Sequence, residues 1–239
     1  MKTLITIPHH STSIPKKYLA DFLLTEKHMN RHLDFGTEKI FELKGFDVIK
    51  ADASRFVVDL NRQRDDIREG QGVIITETWD GEPVLKESLS SEKIEHRLKN
   101  YYDPFYTKLD SFLAKSTKPL FVLDGHSMDS KGSLVAGDSG NERPEIDLAT
   151  GRGTCPEYLV KIFEDAFSNA GFECARNNPY SGERAKIIHY CTAHENVHAL
   201  ELEVNKKVYM DEKTFKFRKE NLARLKSALT NALNKIQQL

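Results

Sequence analysis

The chain has 239 residues, of which 39% are hydrophobic and 30% are charged, and its 35 basic and 36 acidic side chains give a net charge of −1. This composition is typical of a globular protein, and the length fits one α/β domain over residues 1–239. The near-neutral charge lacks the basic excess of proteins that bind nucleic acids or anionic membranes. No apolar run is long enough to span a bilayer. We therefore expect neither a nucleic-acid partner nor a membrane partner.

The cysteines and the first residues bear on the cellular compartment. Cys155, Cys174 and Cys191 are far apart and odd in number, and none forms a C-x-x-C pair. Reduced thiols, and hence a cytoplasmic protein, are the expected state. The apolar stretch at residues 4–8 is too short for a signal peptide and predicts a buried strand.

The first half of the chain is predicted to combine short strands with helices. Strands are expected at residues 4–8, 46–50 and 56–60, and helices over 27–44 and 91–115. Gly45 is the C-terminal stop of the first helix. Ser91 is the candidate cap of the second helix, and Pro104 predicts a kink or break in it.

The second half continues the alternation of strands and helices. The nearly all-apolar run 119–124 is typical of a strand buried on both faces. Further strands are expected at 172–176, 185–192 and 198–204, and helices over 156–170 and 213–236. This order predicts an α/β fold with a largely parallel sheet covered on both faces. Ligand chemistry is then expected at the carboxyl ends of the strands.

Polar residues stand at the expected ends of three strands. His9 follows the first strand, His126 follows the buried strand at 119–124, and Glu201 and Glu203 lie in the strand at 198–204. Two imidazoles and a carboxylate at one sheet edge suit a catalytic zinc ion, which binds nitrogen and oxygen ligands and keeps one position for water. The alternative is that each histidine only caps or hydrogen-bonds its strand end.

The two glutamates strengthen the functional interpretation. Strand alternation places Glu201 and Glu203 on one face, where two buried carboxylates are costly unless they meet a metal, a base or arginines. The other histidines are interpreted as structural or exposed. Exposed helix positions are expected for His28, His32 and His96, and structural positions for His189, His194 and His198.

Positive charge comes from the segment Arg55 to Arg62, which also contains Asp59 and Asn61. Arginine suits bidentate binding of a carboxylate, although a surface salt bridge between Arg62 or Arg64 and the nearby Asp65 or Asp66 is the alternative. Residues 177–183 predict a turn. Spacing alone leaves open whether Asn178 and Tyr180 point into a cleft.

Five segments in chain order resemble the N-formylglutamate amidohydrolase family over essentially the whole chain. They are Pro8-His-His-Ser11, Arg55 to Arg62, Asp124-Gly-His-Ser-Met128, Asn178-Pro-Tyr-Ser-Gly182, and Glu203-Val-Asn205 with Tyr209. The resemblance implies a single α/β domain with a mixed sheet and one catalytic zinc ion, related in fold to zinc carboxypeptidases and aspartoacylase-type deacylases. It implies hydrolysis of the amide bond of an N-formyl or other N-acyl amino acid, such as N-formylglutamate.

The resemblance also implies roles for individual residues. His9 and His126 are expected as zinc ligands with Asp34 as the third, and Glu203 as the general base. Asn61 and Arg62 are expected to hold the substrate's α-carboxylate, and Arg55 to steady the oxyanion or a second carboxylate. Asn178 and Tyr180 are expected to contact the small-molecule substrate.

Two departures from the family pattern affect the choice of substrate. His10 and Ser11 stand where the family has a small residue and glycine, and Glu183 replaces a second glycine. A related zinc deacylase or carboxypeptidase acting on another N-acyl amino acid or short peptide is therefore one alternative. A non-catalytic small-molecule-binding protein is the other. The sequence leaves the acyl group and the oligomeric state open.

Overall fold

A computed structural model describes residues 1–116 and 118–239 of the chain. Within these residues six strands form one sheet. The strands are β1 (Lys2–Ile7), β2 (Asp47–Lys50), β3 (Leu120–Met128), β4 (Ile146–Ala149), β5 (Cys174–Arg176) and β6 (Val197–Asn205). Their order in the sheet is β2-β1-β3-β6-β4-β5. Strands β2, β1, β3 and β6 are parallel, β4 is antiparallel to β6, and β5 is parallel to β4. The expected α/β class with a mixed, mostly parallel sheet is confirmed.

Helices cover both faces of this sheet. They are α1 (Lys16–Leu19), α2 (Glu26–Met29), α3 (Thr37–Phe41), α4 (Ser91–Arg97), α5 (Asp103–Ala114), α6 (Glu157–Asn169), α7 (Lys186–Thr192), α8 (Lys206–Tyr209) and α9 (Lys219–Gln237). One hydrophobic core packs α4, α5 and α7 against one face, and the other packs α3, α6 and α9 against the opposite face. Burying the side chain of one Leu, Ile or Phe contributes about 1.5–3 kcal/mol to the free energy of folding, so the two cores stabilise the sheet from both faces. Among the described residues, no helix has the length and low charge needed to cross a membrane.

The predicted helix over 27–44 is wrong as a single element. The chain makes α2, a 3-10 turn at Asn30–His32, an extended residue at Leu33, and then α3. The backbone N–H of Asp34 donates to the carbonyl of His9 at 3.2 Å, which draws this segment towards the end of β1. Gly36 has φ +85° and lies where a Cβ would come within 2.5 Å of the Phe217 ring, so the turn needs glycine.

Two predicted strands are also wrong. Residues 185–192 form α7, in which Ile187, Ile188 and Cys191 are buried at helical spacing. A short apolar run does not distinguish a strand from a buried helix. Residues 56–60 are buried but make turns, because the N–H of Val57 donates to Ser54 and that of Asp59 donates to Val73 outside the sheet. The short strand β4 had no sequence prediction.

The long helix expected over 91–115 is confirmed as one continuous helical stretch with a different internal structure. Helix α4 is capped by Ser90, not Ser91, since the Ser90 hydroxyl accepts from the N–H of Lys93. A π-helical segment at Leu98–Tyr102 then leads into α5. Pro104 falls in the first turn of α5, directly after the π-helical segment, and does not break the helical stretch. The last helix begins at Lys219, six residues after the predicted start at 213.

Candidate metal centre and active site

One face of the sheet changes from apolar to polar along its strands. The lower half carries residues of the first core, and the upper half carries Thr6 on β1, Asp124 and His126 on β3, and Glu201 and Glu203 on β6. The strand register pairs Thr6 with Asp124, Asp124 with Glu201, and His126 with Glu203. The polar residues therefore form one buried cluster at the carboxyl ends of the parallel strands, where α/β proteins bind ligands.

Three side chains that could bind a metal ion converge in this cluster. Nδ1 of His126 lies 3.0 Å and Nδ1 of His9 lies 3.5 Å from Oδ2 of Asp34. The donor atoms of the three residues all lie within 4.8 Å of one another, and all three side chains are buried. The structure thus brings together the three residues that the sequence suggested as ligands. His10, the neighbour of His9, instead places its Nδ1 3.2 Å from the carbonyl of Ile7.

The far nitrogen of each histidine has its own carboxylate partner. Nε2 of His9 lies 2.8 Å from Asp59 and Nε2 of His126 lies 3.0 Å from Asp124. A proton held on Nε2 by these contacts would leave Nδ1 of each ring free to bind a metal ion beside Asp34, as in carboxylate–histidine–metal arrangements. Burial disfavours a charged His126, yet the charge and hydrogen bond of Asp124 raise its pKa well above the ordinary value. The cluster therefore favours positive charge.

The surroundings of Asp34 stabilise its negative charge. Burial alone would raise its pKa, but the hydrogen bonds and charges of His126 and His9 lower it. Gly125 allows this part of the sheet to pack closely, because a Cβ there would lie 2.7 Å from the Phe41 ring of α3. Helix α3 can then lie directly behind β3, and the segment that precedes it delivers Asp34 to the centre.

The side-chain amide of Asn61 contacts several residues of the cluster. Its Nδ2 lies 3.2 Å from Asp124, from Nε2 of His126 and from Glu201, and its Oδ1 accepts from the N–H of Ile187 at 2.9 Å. The amide therefore lies among a second group of possible ligands, Asp124, His126 and Glu201. Its donors and its acceptor are engaged inside the protein, which suits a positioning role better than the expected contact with a substrate carboxylate.

The two glutamates of β6 differ in their partners. Glu201 accepts from Asn61, whereas Oε2 of Glu203 is buried without a hydrogen-bond partner among the described residues. Burial raises the pKa of Glu203 well above its ordinary value, and the charge of His126 only partly opposes this shift. Glu203 thus lines the cavity as a carboxyl that holds a proton readily.

The predicted arginines differ in their burial and in their hydrogen-bond partners. Arg55 is buried, donates through Nη2 to Asp59 at 2.6 Å, and has an Nε without a partner among the described residues. Arg62 is half-buried and donates to the carbonyls of Gln71 and Asn61. Both line the cavity. Arg55 is also a positioning residue, because it fixes the carboxylate that orients His9.

Asn178 and Tyr180 belong to a loop held by a buried carboxylate that the sequence did not suggest. Asp147 on β4 accepts from the backbone N–H of Asn178 at 3.0 Å and from that of Tyr180 at 2.9 Å. The side chain of Tyr180 is half-buried, and its ring centroid lies 5.2 Å from Cζ of Arg143. Asn178 is exposed at the rim. Both residues line the cavity, as expected.

These residues surround a cavity of about 730 Å³. Its wall comes from the loops after β3 and β5 and from the long segment between β2 and α4. Arg143, a buried residue of the loop after β3, donates through Nε and Nη2 to Asp138, and its Nη1 has no hydrogen-bond partner among the described residues. Sequence reasoning passed over Arg143 because no motif surrounds it. It also assigned no role to Asp59 and Asp124, although Asp124 alternates with His126 on one strand.

The fold and the site define an α/β protein with a buried His-His-carboxylate cluster at the carboxyl ends of its parallel strands. The family model described as N-formylglutamate amidohydrolase matches residues 1–210, so the chain belongs to the N-formylglutamate amidohydrolase family.

Relatives and solved structures agree with this assignment. Proteins named N-formylglutamate deformylase from Pseudomonas putida and Pseudomonas aeruginosa are each 27% identical, over 87% of this chain and 82% of theirs. A crystal structure of N-formylglutamate amidohydrolase from Ralstonia eutropha JMP134 has a TM-score of 0.83 at 20% identity, covering 99% of this chain and 93% of that one. A gene product of Agrobacterium tumefaciens has a TM-score of 0.74 at 17% identity, covering 99% and 92%. At these identities the structures show a shared fold.

Proposed function

We propose that the protein is a zinc-dependent amidohydrolase that removes the formyl group from an N-formyl amino acid of the N-formylglutamate type. The observation that carries the proposal is the convergence of His9, Asp34 and His126 beside the buried Glu203. The family assignment and the printed names of the relatives support the reaction and the substrate class. The three cysteines are free, which is consistent with the proposed cytoplasmic location.

The residues present fit one zinc ion. Two imidazole nitrogens and one carboxylate oxygen are a common ligand set of catalytic zinc, which leaves the fourth position to water or substrate. Nδ1 of His126 lies 3.0 Å and Nδ1 of His9 lies 3.5 Å from Oδ2 of Asp34. Asp124 and Asp59 contact Nε2 of these two rings and hold them in the required orientation. Zinc bound by these residues would supply Lewis-acid chemistry, polarising the formyl carbonyl and making a water molecule more acidic.

Glu203 is proposed to move the proton. Glu203 lines the cavity, and its buried Oε2 has no competing hydrogen bond. Its raised pKa suits a group that accepts a proton from water and returns it to the leaving amine. The step breaks the bond between the formyl carbon and the nitrogen and transfers a hydroxyl group to the carbon. Formate and the free amino acid are the products.

Recognition of the amino acid is assigned to the basic wall. Arg62 is proposed to hold the α-carboxylate, with Asn61 keeping its neighbours in place. Arg143 is proposed to hold the second carboxylate of a glutamate-like substrate through the free Nη1. Arg55 is proposed to stabilise charge that develops on the carbonyl oxygen, and Tyr180 and Asn178 to bound the substrate on the opposite side. Arg62 and Arg143 each keep one terminal nitrogen outside their hydrogen bonds to the described residues, and such a charged donor binds a carboxylate strongly.

A substrate panel tests the proposal. Release of free amine from N-formyl-, N-acetyl- and N-succinylglutamate is measured with chelator-stripped enzyme and with the same enzyme after zinc is restored. We expect hydrolysis to require the metal and to be fastest with the formyl compound. A preference for the acetyl or succinyl compound would instead identify a related deacylase. Bound zinc without hydrolysis of any compound would favour a binding protein.

A further inference from the structure

A second group of metal-binding side chains lies outside the catalytic cluster. His28 in α2, His32 in the 3-10 turn that follows, and Glu82 offer donor atoms that all lie within 4.8 Å of one another. Nε2 of His28 lies 2.7 Å from Oε2 of Glu82. The rings of His28 and His32 stack with centroids 5.8 Å apart and planes inclined by 16°. Two short stretches of chain, distant in sequence, thus present two imidazoles and one carboxylate to a common point.

The ring nitrogens of His32 face a cavity and have no hydrogen-bond partner among the described residues. The sequence predicted an exposed helix position, yet His32 is only 8% exposed, and its ring forms no hydrogen bond with the described residues. Neither ring nitrogen is among the buried polar atoms that lack a partner, so both are accessible from the cavities that His32 lines. The contact between His28 and Glu82 accounts for those two side chains, but it does not account for the third donor placed beside them.

The position is open to ions from solvent. The side chains of His28 and Glu82 are 36% and 46% exposed. A second cavity of about 340 Å³ is lined by His28 and His32 and by three acidic and three basic side chains. His32 also lines the larger cavity of the active site. An ion held by His32 would therefore lie at the boundary between the two cavities and could reach it from solvent.

We propose that His28, His32 and Glu82 form an accessory site for a divalent transition metal such as zinc. Two imidazoles and a carboxylate are a ligand set that zinc accepts, with water completing the coordination. A metal there joins the segment from α2 to Asp34 with the loop that carries Glu82, because each supplies ligands. Binding to the folded state alone then raises its stability with metal concentration. The site is independent of the proposed hydrolysis.

Metal counting with paired variants tests the proposal. Zinc content and zinc dissociation constants are measured by equilibrium dialysis at micromolar free zinc for the full chain and for the variants His28→Ala, Glu82→Gln, His9→Ala and His194→Ala. His194 is exposed and belongs to neither cluster, so its variant is the matched control. His28 and Glu82 are substituted in preference to the buried His32 because their replacement disturbs packing least.

We expect the unchanged chain and His194→Ala to bind about two zinc ions per chain, one at each three-donor site. His28→Ala and Glu82→Gln should weaken one of the two equivalents by about tenfold or more, since losing a direct ligand costs at least as much as losing a supporting partner. They should retain the equivalent that His9→Ala removes. They should also lose the rise in Tm that the second equivalent produces in the unchanged chain. Saturation of the unchanged chain at one ion that depends on His9, or unaltered binding in both variants, would overturn the proposal. Absence of the His9-dependent ion alone would instead count against the proposed hydrolase.

Discussion

His126 and Glu203 stand on neighbouring strands of the sheet, whereas Arg143 and Tyr180 stand on the loops that follow β3 and β5. The strand residues are fixed by the register of the sheet, and His126 is also held by Asp34, Asp124 and Asn61. In the loops, the side chain of Arg143 donates to Asp138, the backbone of Tyr180 donates to Asp147, and the Tyr180 ring contacts Arg143. The rigid region therefore suits chemistry that needs fixed geometry, and the loop region suits substrate selection.

The largest expected effect lies in the strand region. Glu203→Gln keeps the shape of the side chain but cannot accept a proton, so kcat should fall by about two to four orders of magnitude with zinc content and KM little changed. Steady-state kinetics together with metal analysis measure this. Glu201→Gln is the matched comparison on the same strand face, and we expect a smaller loss because Glu201 already accepts from Asn61. Near-normal turnover of the zinc-loaded Glu203 variant would place the base elsewhere.

A second prediction concerns Asp147, which connects the two regions. Burial raises its pKa to about 6, against the opposing effect of its hydrogen bonds from backbone N–H groups. Because the folded state holds this proton more tightly than the unfolded state, the contribution of Asp147 to the free energy of unfolding falls as pH rises from about 4 to about 6. A shift of this size corresponds to about 3 kcal/mol.

Urea unfolding of metal-free protein between pH 4 and pH 7 measures this contribution. Asp147→Asn cannot ionise, so the difference in stability between the variant and the unchanged chain should move in the variant's favour as the pH rises. The exposed Asp52, which pairs with Lys108, gives a control variant Asp52→Asn. Parallel stability curves for the Asp147 variant and the unchanged chain would show that Asp147 does not titrate in this range.

The same division separates what the sequence could predict from what it could not. Short apolar strands followed by His9 and His126, and the alternation of Glu201 with Glu203, were readable because a strand repeats every two residues. Those residues do lie together at one end of the sheet. The strand predicted at 185–192 failed because a short apolar run also fits a buried helix face. The inward position of Arg143 depends on loop contacts between residues with no periodic pattern, so only the structure reveals it.

Asp124 offers a smaller perturbation of the strand region. Asp124→Asn removes the charge that faces Nε2 of His126 while preserving the size of the side chain. Zinc affinity should fall by about 10- to 100-fold, as is usual when the partner of a histidine ligand is lost. Competition with a chromophoric chelator measures the dissociation constant. Asp110→Asn serves as control, because Asp110 accepts from Tyr190 away from the cluster. An unchanged zinc affinity would show that Asp124 does not orient the ligand.

The smallest expected effect lies in the loop region and concerns selectivity. Arg143→Lys retains a positive charge but loses the planar guanidinium that bonds Asp138 through two nitrogens and leaves Nη1 free. If Arg143 holds the second carboxylate, KM for N-formylglutamate should rise about tenfold, the loss of roughly one charged hydrogen bond. KM for an N-formyl amino acid with an uncharged side chain should stay constant, and kcat should change little for either. The two substrates control for each other within one variant. A general distortion of the loop would raise the KM of both substrates. Only a selective rise for N-formylglutamate would therefore place its second carboxylate at Arg143. The strand region would then carry the chemistry, and the loop region would select the substrate.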